Sequence, residues 1–288
     1  MMNRFGRSTL MPQNHAYKQL LTLISARSQQ WIRNQAELLP VDAVTDEHIQ
    51  SLSEIAVTAF ICTSLRGNDV PVKTFIESRI TPEFVGQFIG RFEEMGIGAL
   101  SGGYSFLRCI SPDDRQKLAV RNLPLNAMLA LSDMPDQELL ERVEAELRRP
   151  VPYEQTNEQL IGSYAELLAL CYSFGNQRPR FSNPGVYGDA YANCLRFAEW
   201  AQEKGRLLPL VQMIYCLCLI DPDFDAMPLL SDVIASQRPD GSFPERIGFG
   251  SADQDGRALR PTLGTLVALH MVIYGQRRSP GPLVTMAA

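Results

Sequence analysis

Apolar residues recur along this chain at helical spacing and almost nowhere at the alternation that marks a strand. Tyr17, Leu20, Leu21, Ile24, Ser28, Trp31 and Ile32 fall on one stripe at i, i+3, i+4 and i+7 intervals, which predicts an amphipathic helix. Leu139, Leu140, Val143 and Leu147 repeat the pattern, with Glu141, Arg142, Glu144, Glu146 and Arg148 on the wet face. Other segments are apolar nearly all round: 55–65, 123–131, 160–174, 207–220 and 263–274. Each ends at a small or polar stop, at Gly67, Asp133, Gly175, Asp221 and Gly275. No run of β-branched residues bounded by turn pairs reads as a strand.

The stops are 66, 42, 46 and 54 residues apart. Alternating amphipathic and apolar helices at so loose a period indicate stacked helical hairpins, the apolar helix of each pair inside. The longest interval leaves room for one more short pair over 82–109, turning at the glycines of 96–103. The prediction is an all-α chain of about six hairpins. Six hairpins close an α/α toroid, and an open α-solenoid has the same pattern. One helical domain is expected over 16–276, between flexible segments at 1–15 and 277–288.

Composition narrows the function. With 45% apolar and 20% charged residues among 288, the chain has the profile of a folded globular protein. A net charge of −5 argues against a nucleic-acid surface, which is normally basic. The longest apolar run, 207–220, is interrupted by Pro209 and Gln212 and is shorter than the roughly twenty residues that cross a bilayer. Positions 1–13 carry Arg4 and Arg7 without the apolar stretch of a secretory signal. Six cysteines (Cys62, Cys109, Cys171, Cys194, Cys216 and Cys218) lie dispersed in apolar contexts, with neither disulfide nor zinc spacing. Buried free thiols in a cytoplasmic protein follow, with no cofactor and no metal.

The stretch Gln237-Arg238-Pro239-Asp240-Gly241-Ser242-Phe243 ends an apolar helical run at a Pro-Asp-Gly turn, where glycine takes the positive φ other residues avoid. It resembles the Q-x-x-D-G-S-W/F signature of the α/α-toroid proteins, the terpenoid cyclases and protein prenyltransferase β subunits, over the last third of the chain. The resemblance implies a structural role for Gln237, Asp240, Gly241 and Phe243, with Gln237 capping a neighbouring helix and the aromatic packing on it. The company such toroids keep implies a place in bacterial specialised metabolism. The cyclases' D-x-D-D acid motif is missing; the nearest acidic cluster, Asp221, Asp223 and Asp225, sits in an inter-helix turn with Pro222. So is the Asp-x-Cys and distant His that hold the prenyltransferase zinc. Neither activity is therefore inherited.

The remaining chemistry is scattered. His270 is the one histidine inside an apolar helix, and Glu54 and Glu166 are acids on such helices, which makes the three the acid–base candidates. Cys62, Cys171, Cys216 and His270 lie four or five residues before their helix stops, either as a functional ring or as ordinary packing. The loop over 244–261 carries Glu245, Asp253, Asp255, Arg257 and Arg260, where the arginines can hold an anion bidentately or join surface ion pairs. Residues 251–256 look like part of a calcium loop but have Ser at the first position and Thr262 at the twelfth. Tyr187 lines a mouth or packs, and Asp189 is read as a helix cap. Two functions fit. The first is a non-catalytic hairpin protein that binds a partner protein or small ligand, accessory to a biosynthetic pathway, with Phe84, Val85, Phe88 and Ile89 as a homodimer face. The second is a toroid enzyme acting on an apolar isoprenoid, acyl or peptide substrate. A filled interior at Met213, Tyr215, Leu217 and Leu219 favours the first; a cavity lined by ionisable groups favours the second.

Overall fold

The computed structural model describes residues 11–39, 45–95, 103–116, 118, 123–132, 135–248 and 258–275. The described residues form thirteen α-helices and two short 3-10 turns joined by loops, with no strand among them. The helices are α1 (Met11–Leu38), α2 (Asp46–Arg66), α3 (Pro71–Glu77), α4 (Pro82–Met95), α5 (Gly103–Cys109), α6 (Pro112–Gln116) and α7 (Leu125–Leu131). They continue with α8 (Gln137–Arg148), α9 (Glu158–Cys171), α10 (Gly185–Glu203), α11 (Leu207–Ile220), α12 (Met227–Ala235) and α13 (Leu259–Tyr274). None is long and apolar enough to cross a membrane. α1 starts at Met11, inside the segment 1–15 expected to precede the helical body.

The apolar helices pack on one another in order. α2 meets α5, α5 meets α7, α7 meets α9, α9 meets α11, α11 meets α13, and α13 packs on α2. The amphipathic helices lie against them: α1 on α13 and α3, α4 on α2, α8 on α7 and α10, α10 on α11, and α12 on α11. This division follows the residue pattern. On α11, Met213, Ile214, Tyr215, Cys216 and Leu217 are five consecutive buried residues, so the helix is covered on every side. On α8, Leu139, Val143 and Leu147 are buried on one stripe, and the charged face is mostly left to water.

Three expectations are corrected. Phe84, Val85 and Phe88 are buried within the chain, Phe88 with its ring 4.5 Å from that of Phe106, so this stripe is core and not a homodimer face. Leu20 is nearly half exposed, as is its neighbour Leu23 to a larger degree; the buried stripe of α1 is Leu21, Ile24, Ser28, Trp31 and Ile32. The run over 160–174 leaves the α-helix at Cys171, because Ser173 and Phe174 turn to φ of 46° and 56°. The strained turn inserts Phe174 into the core, edge-on to Phe60 at 5.7 Å.

Candidate functional site

The first turns of α2, α9, α11 and α13 meet around a half-enclosed pocket of about 330 Å³. Local sequence explains why four helices begin there. Thr45 caps α2 by accepting from the His48 amide, and Asn157 caps α9 by accepting from Leu160. α11 and α13 carry Pro209 and Pro261 in their first turns, where a missing N–H costs no intrahelical bond. Residues 244–247 cross the start of α11, with Glu245 O accepting from Leu207 N (2.9 Å) and Ile247 N donating to Gly205 O (3.0 Å).

Two ion pairs face this pocket. Arg260 on α13 brings Nε and Nη2 each to 2.9 Å from Glu54 Oε1 on α2. Gln50 Nε2 donates to the same oxygen at 3.1 Å. Arg206 pairs with Glu158, joining the starts of α11 and α9. The Glu54 side chain is only 12% exposed. Burial pushes its carboxyl up to about 7, against the opposing pull of the Arg260 charge and hydrogen bond. Glu47, Ser51 and Glu245 complete the polar wall, and Leu208, Leu259 and the two prolines supply the apolar part.

Of the residues singled out from sequence, Glu54, Arg260 and Glu245 come together here. Asp253, Asp255, Arg257 and the calcium-loop-like stretch lie outside the described residues. Glu47, Glu158 and Arg206 were missed, although charge in the first turn of an otherwise apolar helix was the available signal. Below the pocket, Met213, Tyr215, Leu217 and Leu219 are all buried.

Glu166 of α9 is elsewhere, clamped by α5 and α7. Its Oε1 accepts from the Ser105 amide and hydroxyl of α5, both at 3.0 Å, and its Oε2 from Asn126 of α7 at 3.4 Å. Burial raises its pKa and these donors restrain the rise. Tyr187 donates its hydroxyl to Pro179 O, under the Arg178 guanidinium at 4.6 Å. Asp189 lies a turn inside α10 and pairs with Arg148 at 2.9 Å rather than capping. Asp221 and Asp225 accept from the amides of Asp223 and Met227, holding the α11–α12 turn. Cys62, Cys171 and Cys216 are buried, and burial pushes each thiol up, away from the reactive thiolate.

His270 sits ten residues beyond Arg260, about 15 Å further along α13. Its Nδ1 donates to Leu266 O at 3.0 Å and its ring lies 5.5 Å from that of Tyr274. Burial, and the Arg66 charge behind it, lower its pKa to about 4 despite the Leu266 bond. Because the folded value lies below the unfolded one near 6.5, the folded state binds the proton less readily. The resulting stability is complete above pH 6.5 and is lost as pH falls towards 4. Between pH 7 and pH 4, wild type should therefore lose about 3 kcal/mol relative to His270→Gln. Urea unfolding of both proteins at pH 7, 5.5 and 4 measures this, and parallel pH profiles would contradict it.

Gln237–Phe243 forms a seam between α1 and α13. Gln237 Nε2 reaches Ile24 O (3.1 Å), Ser28 Oγ (3.2 Å) and Gly241 O (3.2 Å). Arg27 of α1 donates to Pro239 O at 2.6 Å, and Ser28 Oγ to Gly241 O at 3.0 Å. Partial burial raises the Asp240 pKa, but bonds from the Ser242 amide and hydroxyl, with Arg238 and Trp31, bring it below the usual value. Phe243 is fully buried and its amide donates to Thr262 Oγ1 of α13 at 2.9 Å. The chain matches no family model, no characterised protein and no solved structure.

Proposed function

We propose that this chain is a closed α/α ring of six helical hairpins that binds, without turnover, a small polar ligand or a polar segment of a partner protein at the mouth of the ring. The return of α13 onto α2 and the α1 seam support a ring over an open solenoid. The observation that carries the binding function is the pocket where two Arg–Glu pairs from four helices converge, above an interior filled by buried side chains. A lining of this polarity fits a polar occupant better than an isoprenoid or acyl chain.

The enzymatic alternative has one specific observation in its favour. Glu54 has a carboxyl titrating near neutral pH within a pocket, the condition of a general acid or base. Against it, neither His270 nor Glu166 reaches that pocket to serve as its partner.

The test uses the Ser51→Trp variant, which fills the pocket from α2. Thermal unfolding is followed for both proteins with a panel of small carboxylates, phosphates, amines and amino acids. A ligand at a hundredfold excess over its Kd should raise the wild-type Tm by about 5 °C and leave the variant unmoved. If every compound shifts both proteins alike, the pocket is not a binding site.

A further inference from the structure

The charges of the mouth pocket carry the argument further, to a class of ligand. Arg260 holds Glu54 through one carboxylate oxygen only, using Nε and Nη2. Its Nη1 has no acceptor among the described residues, and the side chain is 41% exposed. Arg206 spends Nη2 on Glu158, leaving Nε and Nη1 in the same condition. Guanidinium groups stay charged at any physiological pH and present a fork that fits a carboxylate. Two such forks with donors to spare line one pocket.

Glu54 occupies the place an incoming anion needs. It is the more buried partner of the pair, so its own charge is the costly one. Among the described residues, the other charged groups around it are Arg260 of α13, Arg206 capping α11, Glu158 of α9, Glu245, and Glu47 on its own helix. Glu158 is engaged with Arg206 and Glu47 is at the exposed rim, so neither competes for the Arg260 fork. The lining carries four carboxylates, Glu47, Glu54, Glu158 and Glu245, against two guanidiniums, so an anion is admitted only as the Glu54 charge is neutralised.

Resting on the binding function proposed above, we infer that the pocket takes a small carboxylate on Arg260, and that Glu54 takes up a proton as the guanidinium passes from it to the ligand. The exchange is balanced: Glu54 loses its ion-pair partner and becomes neutral, the ligand supplies the replacing negative charge, and the proton comes from solvent. Burial favours that neutral form, which lies within reach at neutral pH.

Calorimetric titration of the full chain tests this, with succinate, inorganic phosphate and putrescine as probes at pH 6 and pH 8. Succinate should bind about tenfold more tightly at pH 6, because a carboxyl titrating near 7 is mostly ionised at pH 8. At pH 8 its binding should take up close to one proton, read from buffers of different ionisation enthalpy. Glu54→Gln should bind succinate with the pH dependence gone, and Arg260→Gln should not bind it. Phosphate or putrescine binding in place of succinate, blocked by Ser51→Trp, overturns the carboxylate assignment and leaves the pocket a binding site. Succinate binding that is equal at both pH values and unchanged in Glu54→Gln overturns the proton exchange. Binding of none of the three overturns the carboxylate assignment, and the wider panel then decides whether the pocket binds at all.

Discussion

Phe243→Ala should lower the unfolding free energy by about 3–5 kcal/mol, the cost of deleting a fully buried aromatic ring and leaving a cavity. The site cannot collapse easily. The Phe243 amide is fixed to Thr262 of α13, and the preceding residues are fixed to α1, so the backbone beside the void is held. Denaturant unfolding should show a lower midpoint with an unchanged slope, since the surface exposed on unfolding is hardly altered. A loss below 1 kcal/mol would mean that the ring does not seal the seam.

Gly241→Ala should cost at least about 2 kcal/mol, for two separable reasons. Gly241 has φ of +97°, which an L side chain adopts only under strain. A Cβ there would also stand 2.6 Å from the Arg27 carbonyl oxygen and 2.9 Å from its carbon, both backbone atoms of α1. The helix cannot retreat without breaking the bonds that Arg27 and Ser28 make to the turn. Gly205, with φ of +63° and open space around the missing Cβ, isolates the strain alone. Gly205→Ala should therefore cost about 1 kcal/mol, and equal losses at the two positions would show that close approach to α1 contributes nothing.

The inner helices were legible because burial all round requires an apolar sequence all round, as α11 and α13 illustrate. Short helices were not. α3 and α6 have too few turns to establish a period, and α3 is declared only by Pro71 at its start. The Gln237–Phe243 turn could be read from residue types, since Pro, Asp and Gly each constrain backbone locally. Its partner, Ile24 to Ser28, could not, because nothing on an ordinary amphipathic helix announces which carbonyls a distant glutamine will reach. The site was legible by halves for a similar reason. Glu54 and Arg260 are conspicuous in their helices, but their pairing across 206 residues is a property of packing alone. His270 was conspicuous too, but Arg260 was read as part of the loop over 244–261, whereas α13 starts at Leu259 and sets the two ten residues apart on one helix.

The seam also fixes when the protein can be finished. Gln237 meets Ile24 across 213 residues of chain, and at about 5–20 residues per second a ribosome takes roughly 10 to 40 s to supply that length. Through that interval α1 has been made while its partners in 237–243 and α13 do not yet exist. Leu21, Ile24, Trp31 and Ile32 wait part-covered until α13 is released, so the nascent chain is exposed to aggregation through that interval.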